Sequence, residues 1–126
     1  MTAPLEKPEI DFPGGDAPDE LAITDLVEGD GEQAVPGRTA VVHYVGTAFS
    51  TGEEFDASWN RGEPFAFPLG AGQVIAGWDR GVVGMKVGGR RQLVIPPDLG
   101  YGDRGAGSAI APGETLIFVV DLLELR

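Results

Sequence analysis

Twenty of the 126 residues are glycine, about 16% of the chain against an average share near 7%. A helix bundle is a poor home for that density, because each glycine inside a helix costs about 1 kcal/mol relative to alanine. Glycine suits the tight turns between short strands, where the backbone has to adopt positive φ. The runs between the glycines agree. Residues 21–27, 40–47, 65–69, 92–95 and 115–125 are rich in β-branched, aromatic or aliphatic side chains, the mark of strands bounded by turns. Pro68 puts the third run at a strand end or a sheet edge. The last run has eight apolar residues in eleven and is predicted to be central in the sheet. Between Leu69 and Lys86 the pattern changes. Val74, Ile75, Trp78, Val82 and Met85 recur at helical spacing and predict one short amphipathic helix, whose Gly77, Gly81 and Gly84 would let it lie close against a sheet. The fold class is α+β, an antiparallel sheet curled around a single helix.

Charge and composition narrow the function. The chain length fits one domain. Twenty acidic residues against nine basic ones give a net charge of −11, a surface that repels a phosphate backbone. Neither nucleic acid nor an anionic membrane surface is an expected partner. No run approaches the ~18–20 apolar residues of a membrane span. The N-terminus Met1-Thr2-Ala3-Pro4-Leu5-Glu6 lacks the basic and apolar regions of a secretion signal, so a soluble cytoplasmic protein is expected. The absence of cysteine excludes disulfides, thiol catalysis and thiolate metal sites, and a single histidine removes most metal and triad chemistry.

Residues 1–20 hold four of the ten prolines, six carboxylates and one lysine. They are expected to form a flexible acidic leader, with the folded domain over 21–126. As a function for the leader, a docking arm for a basic partner competes with a solvating tail. The other irregular stretch, 98–114, is seventeen residues with five glycines, and loops longer than ~12–15 residues are usually functional or disordered. Tyr101 and Ile110 inside it favour function.

Three chemistries can be weighed and set aside. Gly70-Ala71-Gly72 precedes the helix as a phosphate loop would, but Ile75 stands where a dinucleotide fingerprint needs glycine. Ser58, His43 and Asp56 invite a hydrolase reading, yet Ser58 has no G-x-S-x-G setting. His43 and Tyr44 alternate on a strand and face opposite sides, so a structural histidine is expected. Asp56, Asp79 and Asp103 lack metal-ligand spacing, and neither a metal nor a cofactor is expected. What remains is aromatic: eight of the ten aromatic residues lie between Tyr44 and Tyr101. They can form plain core, or an apolar pocket with a few polar groups, the common form of a small-ligand site.

The ordered blocks Val42-His43-Tyr44-Val45-Gly46, Phe55-Asp56-Ala57-Ser58, Arg61-Gly62-Glu63-Pro64-Phe65, Val74-Ile75-Ala76-Gly77-Trp78-Asp79, Ile95-Pro96-Pro97 and Leu99-Gly100-Tyr101-Gly102 resemble the FK506-binding protein family of peptidyl-prolyl cis-trans isomerases. The likeness runs from about Leu21 to Arg126. It implies a five-to-six-stranded antiparallel half-barrel wrapped around a short helix. It also implies an enzyme that binds X-Pro segments of peptides and folding polypeptides, is inhibited by the macrolides FK506 and rapamycin, and works as a stand-alone monomer.

Carried over to this sequence, the resemblance implies a pocket of Tyr44, Phe55, Asp56, Phe65, Val74, Ile75, Trp78, Tyr101, Ile110 and Phe118. Trp78 would be the floor, and Tyr44, Phe55 and Phe118 the walls. The Ile75 backbone N–H and the Tyr101 hydroxyl would hold substrate carbonyls. Asp56, tied to Tyr44 and Arg61, would be the single pocket carboxylate, acting through its field on the twisted amide or only ordering its two neighbours. A module that binds proline peptides or macrolides with little turnover is the alternative function. Ala106 and Ala109 stand where the family often carries bulkier side chains, which bears on macrolide affinity.

Overall fold

A computed structural model describes residues 6–10, 15–106 and 110–126. Among these residues six antiparallel strands form one sheet: β1 (Ala22–Val27), β2 (Thr39–Ala48), β3 (Glu54–Ala57), β4 (Phe65–Pro68), β5 (Arg90–Ile95) and β6 (Leu116–Leu125). Their order is β1-β5-β6-β2-β3, so the apolar run 115–125 is central, as its composition predicts. One edge of β2 serves two partners. Its first half, Thr39 to Val42, pairs with β4, and its second half, from Val45 to Thr47, pairs with β3. Pro68 closes β4 opposite Thr39, where a missing N–H costs little.

Two helices accompany the sheet. α2 (Ala76–Gly81) lies where the periodicity predicts a helix but is shorter: of the residues that carry the spacing only Trp78 is inside it, and Gly84 lies beyond its end in the left-handed region (φ 93°), where a helix cannot continue. α1 (Ser58–Arg61) is a single turn between β3 and β4 that the sequence pattern does not announce. α2 lies close on β5 because it presents glycine there. A β-carbon at Gly77 would stand 2.6 Å from Ile95 Cγ2, and one at Gly81 2.7 Å from Leu93 Cδ2. At the end of α2, the buried Arg91 guanidinium donates to the Gly81 carbonyl (2.9 Å) and the Val83 carbonyl (3.0 Å). It also pairs with Asp25 of β1 at 2.6 Å. Helix-end carbonyls that have no intrahelical donor are thus satisfied by a side chain of the sheet.

The core lies between α2 and the inner face of the sheet. Leu116, Phe118, Val120 and Leu122 of β6, Val42 and Tyr44 of β2, and Leu93 and Ile95 of β5 meet Trp78, Val82 and Met85. Each fully buried aliphatic or aromatic side chain contributes about 1.5–3 kcal/mol. The stretch 98–114, which fits no element from sequence, is entered by a 3-10 turn at Pro97–Leu99 and contains another at Gly102–Arg104 and a bridge in which Ala106 and Ile110 exchange backbone hydrogen bonds. No helix among the described residues is long and apolar enough to cross a membrane.

Candidate active site

Strand pairing places the first wall. Val45 faces Ala57 and Gly46 faces Asp56, but Thr47 faces Glu54, so β3 carries one extra residue, Phe55, opposite Gly46. This is a β-bulge, which re-aims side chains that strict alternation would send to opposite faces. Phe55 and Asp56, adjacent in sequence, therefore both line the same cavity. The bulge requires glycine on the facing strand. A β-carbon at Gly46 would lie 2.6 Å from Phe55 Cζ and 2.7 Å from Phe118 Cε1.

The cavity has a volume of about 460 Å³. It is lined by Tyr44, Phe55, Asp56, Phe65, Gly72, Gln73, Val74, Ile75, Trp78, Tyr101 and Phe118. Trp78 is nearly buried at 4% exposure and joins the other rings. Its ring centre stands 4.9 Å from Tyr44 and 5.2 Å from Phe118, both edge to face, an arrangement that aromatic quadrupoles favour. Phe55 meets Phe118 in the same way at 5.5 Å. The rings thus pack on one another while leaving the cavity open above the indole.

One polar cluster interrupts the aromatic lining. The Tyr44 hydroxyl donates to Asp56 Oδ2 at 2.6 Å, while Arg61 donates to Asp56 Oδ1 and to the Tyr44 oxygen, each at 2.8 Å. Arg61 comes from the single turn of α1, which starts immediately after β3 and ends at Gly62 in the left-handed region (φ 67°). Burial pushes the Asp56 carboxyl up, but the hydrogen bonds from Tyr44 and Arg61 and the Arg61 charge outweigh it and hold it below its ordinary value. Burial, then the hydrogen bond to Asp56, pushes the Tyr44 hydroxyl up. Burial and then the Asp56 charge do the same to Tyr101. Both phenols are therefore neutral hydrogen-bond donors at neutral pH.

The opposite rim is the loop before α2. Gly70 and Gly72 donate their backbone N–H groups to the two oxygens of Asp79, each at 2.9 Å. The glycines that looked like a phosphate loop are thus occupied by the chain's own carboxylate, which shapes the loop leading to Val74 and Ile75. The Ile75 carbonyl accepts from the amides of Trp78 (3.0 Å) and Asp79 (3.3 Å) and opens the helix. Gly72, which the sequence offers only as part of a phosphate-like loop, and Gln73, for which it gives no motif, also line the cavity. Their position immediately before Val74-Ile75 is the only signal that points to them.

Nine of the ten residues expected in the pocket line this cavity. Ile110 is not among the lining residues; it packs in the core cluster that also holds Trp78 and Phe118. Ala106 packs against that cluster, whereas Ala109 lies outside the described residues. The structure also brings Ser58 to within 2.8 Å of His43 Nδ1, but Asp56 is engaged on the opposite face. Ser58 is fully buried, and its Oγ accepts the Tyr44 N–H at 2.7 Å, so no substrate reaches it. His43 stacks on Trp59 at 4.1 Å, the structural role its strand position predicts.

A small curled sheet closed over a glycine-faced helix, with an aromatic cavity above the helical tryptophan, defines a known class. The profile described as FKBP-type peptidyl-prolyl cis-trans isomerase matches residues 30–123, and the chain belongs to that family of enzymes. It is 72% identical over 120 residues to the FK506-binding protein of Streptomyces anulatus, covering 94% of this chain and 97% of the relative. It is 53% identical over 119 residues to the probable FK506-binding protein of Corynebacterium glutamicum, covering 94% and 98%. Among solved structures, the crystal structure of AtFKBP13 superposes with a TM-score of 0.80 at 42% identity, covering 87% of this chain and 96% of that one. FkpA from Escherichia coli superposes with 0.76, also at 42%, and the match spans 84% of this chain and 48% of FkpA.

Proposed function

We propose that this isomerase binds X-Pro segments of flexible or folding polypeptides in the aromatic cavity, with the proline ring on Trp78 and the flanking chain between Tyr44, Phe55 and Phe118. The Ile75 N–H and the Tyr101 hydroxyl donate to substrate carbonyls. The observation that carries the reading is the cavity itself: at about 460 Å³ it lies in the ~300–1,000 Å³ range of small-ligand sites, and it is lined mainly by rings.

The chemistry follows from the amide. Rotation about an X-Pro bond loses resonance against a barrier of ~18–20 kcal/mol and takes tens to hundreds of seconds unaided. The twisted amide is less charge-separated than the planar one, so an apolar site favours the transition state over the ground state, which is differential binding of a shape and a polarity. No bond to the protein forms and no proton moves. A ~10⁴-fold acceleration requires about 5.4 kcal/mol of such preference. Both Asp56 oxygens are engaged by Tyr44 and Arg61, which supports an ordering role: Asp56 fixes the Tyr44 wall. The relatives' names extend the reading to FK506, and the family resemblance extends it to rapamycin.

The test is a proline-limited refolding or peptide assay with and without FK506 or rapamycin. Acceleration that either macrolide abolishes supports the reading. Tight peptide binding with an unchanged cis-trans exchange rate would instead select a binding module.

A further inference from the structure

The outer face of the sheet, away from the cavity, carries a contact that the isomerase reading does not use. Because Gly46 faces Phe55 and Phe118 on the inside, its neighbours Val45 and Thr47 point outward. Outward residues of a sheet are usually wet, yet these two are only 2% and 4% exposed. Residues 7–10 of the leader lie over them and, with Gly52 and Glu54, enclose the space above Val45 and Thr47.

Two side chains hold that segment from opposite sides. Arg90 of β5 donates to the Glu6 carbonyl at 2.9 Å. From the other side, Lys7 Nζ reaches Glu54 Oε1 at 2.8 Å and Asn60 Oδ1 at 2.9 Å, and Asn60 Nδ2 donates to Glu54 Oε2 at 2.8 Å. The triangle is closed, with each corner bonded to the other two. Its corners on the sheet side are significant. Glu54 immediately precedes the bulged pair Phe55-Asp56, and Asn60 immediately precedes Arg61, the residue that holds Asp56. β3 is four residues long, lies at the sheet edge and is interrupted by the bulge. The N-cap of α1, Ala57, makes no side-chain capping bond. Within the segment Ser58 and Trp59 are held by Tyr44 and His43, whereas its two ends at Glu54 and Asn60 are tied to each other and to Lys7.

We propose that Lys7 is a positioning residue for the isomerase site: by bridging Glu54 and Asn60 behind the sheet, it fixes both ends of the segment that delivers Phe55, Asp56 and Arg61 to the cavity. The inference rests on the proposed use of that cavity. It assigns the one lysine of an otherwise acidic leader a partner within the domain itself, in place of an external docking target.

The experiment compares the full chain with K7M, K7R, E54Q and the K7M/E54Q double variant, in cis-trans exchange of an X-Pro peptide and by amide NMR. The expected loss of kcat/KM in K7M is about threefold, the scale of an exposed ion pair. K7R should return to within about twofold of the parent, since an arginine keeps the charge and the donors. E54Q should match K7M, with no further loss in the double variant, because the two residues act through one contact. The Phe55, Asp56 and Arg61 amide resonances should move in K7M and return in K7R. Unchanged kcat/KM and unchanged resonances in K7M, or losses that add in the double variant, would overturn the proposal. A parent chain that accelerates nothing would instead defeat the proposed function, and the resonances would still decide whether Lys7 positions the segment.

Discussion

Gly46 and Phe55 face each other across the β2–β3 pair, and the ring of Phe55 fills the place a β-carbon on residue 46 would need, 2.6 Å from its Cζ. The contact links backbone to site, since the extra residue in β3 can turn its ring into the cavity only where the facing strand has no side chain. Gly46→Ala should therefore drive Phe55 into the cavity and press on Phe118. Overpacking of this kind costs about 1–3 kcal/mol. A fall in urea midpoint together with a loss of kcat/KM that exceeds the loss of folded protein is the expected outcome; unaltered activity would show that the bulge has slack.

The Tyr44–Asp56–Arg61 cluster makes a statement about pH. Asp56 is held below its ordinary value of 3.8, so its contribution to stability is present above the unfolded value and is lost as pH falls through the lower folded value. The side chain is 43% exposed, and the contribution is correspondingly small. Activity should stay level from neutral pH down to the ordinary carboxylate range and fall only below it. Arg61→Ala removes a hydrogen bond and a charge that oppose burial, so the acidic limb should move to higher pH. The carboxyl carbon of Asp56, followed by NMR titration, should shift in the same direction; an Asp56 that titrates identically in both proteins would contradict the assignment of Arg61 as its holder.

Helix propensity and packing give opposite signs at Gly81. Alanine in a helix is favoured over glycine by about 1 kcal/mol, which would make Gly81→Ala stabilising on an exposed helix. Here the added carbon would stand 2.7 Å from Leu93 Cδ2 and 2.8 Å from Leu93 Cδ1. Packing should win, with a net destabilisation of about 1–2 kcal/mol in chemical denaturation. A more stable variant would mean that α2 can lift off β5 without penalty.

Much of this architecture is legible in the sequence, and the exceptions have physical causes. β1, β2, β4, β5 and β6 read as strands because their β-branched and aromatic runs are bounded by glycine or proline. α2 is located by the spacing of Val74, Ile75, Trp78 and Val82 despite its glycines, but its ends are not, since only Trp78 of these lies within it and the others pack from the flanking turns. β3 is not visible, since Glu54-Phe55-Asp56-Ala57 is short and half charged and its bulge breaks the alternation that marks a strand. α1 is one turn and too short for any period to emerge. The cavity residues emerge through the resemblance, whereas Gly72 and Gln73 line it because Asp79 folds their loop back on the helix. The Lys7–Asn60 contact joins residues 53 positions apart, and no local pattern carries that information.

The most direct measurement is the cis-trans exchange rate of an X-Pro peptide by exchange NMR, at catalytic concentrations of the protein, in light and heavy water. If an apolar cavity over Trp78 favours the twisted amide, exchange accelerates by orders of magnitude with a solvent isotope ratio near one, because no proton is transferred. Trp78→Leu, which keeps an apolar floor but loses the flat ring, should then lower the rate about tenfold, a change of roughly 1.4 kcal/mol in barrier. A peptide that binds while its exchange rate stays at the uncatalysed value, or a rate that drops severalfold in heavy water, would contradict the account.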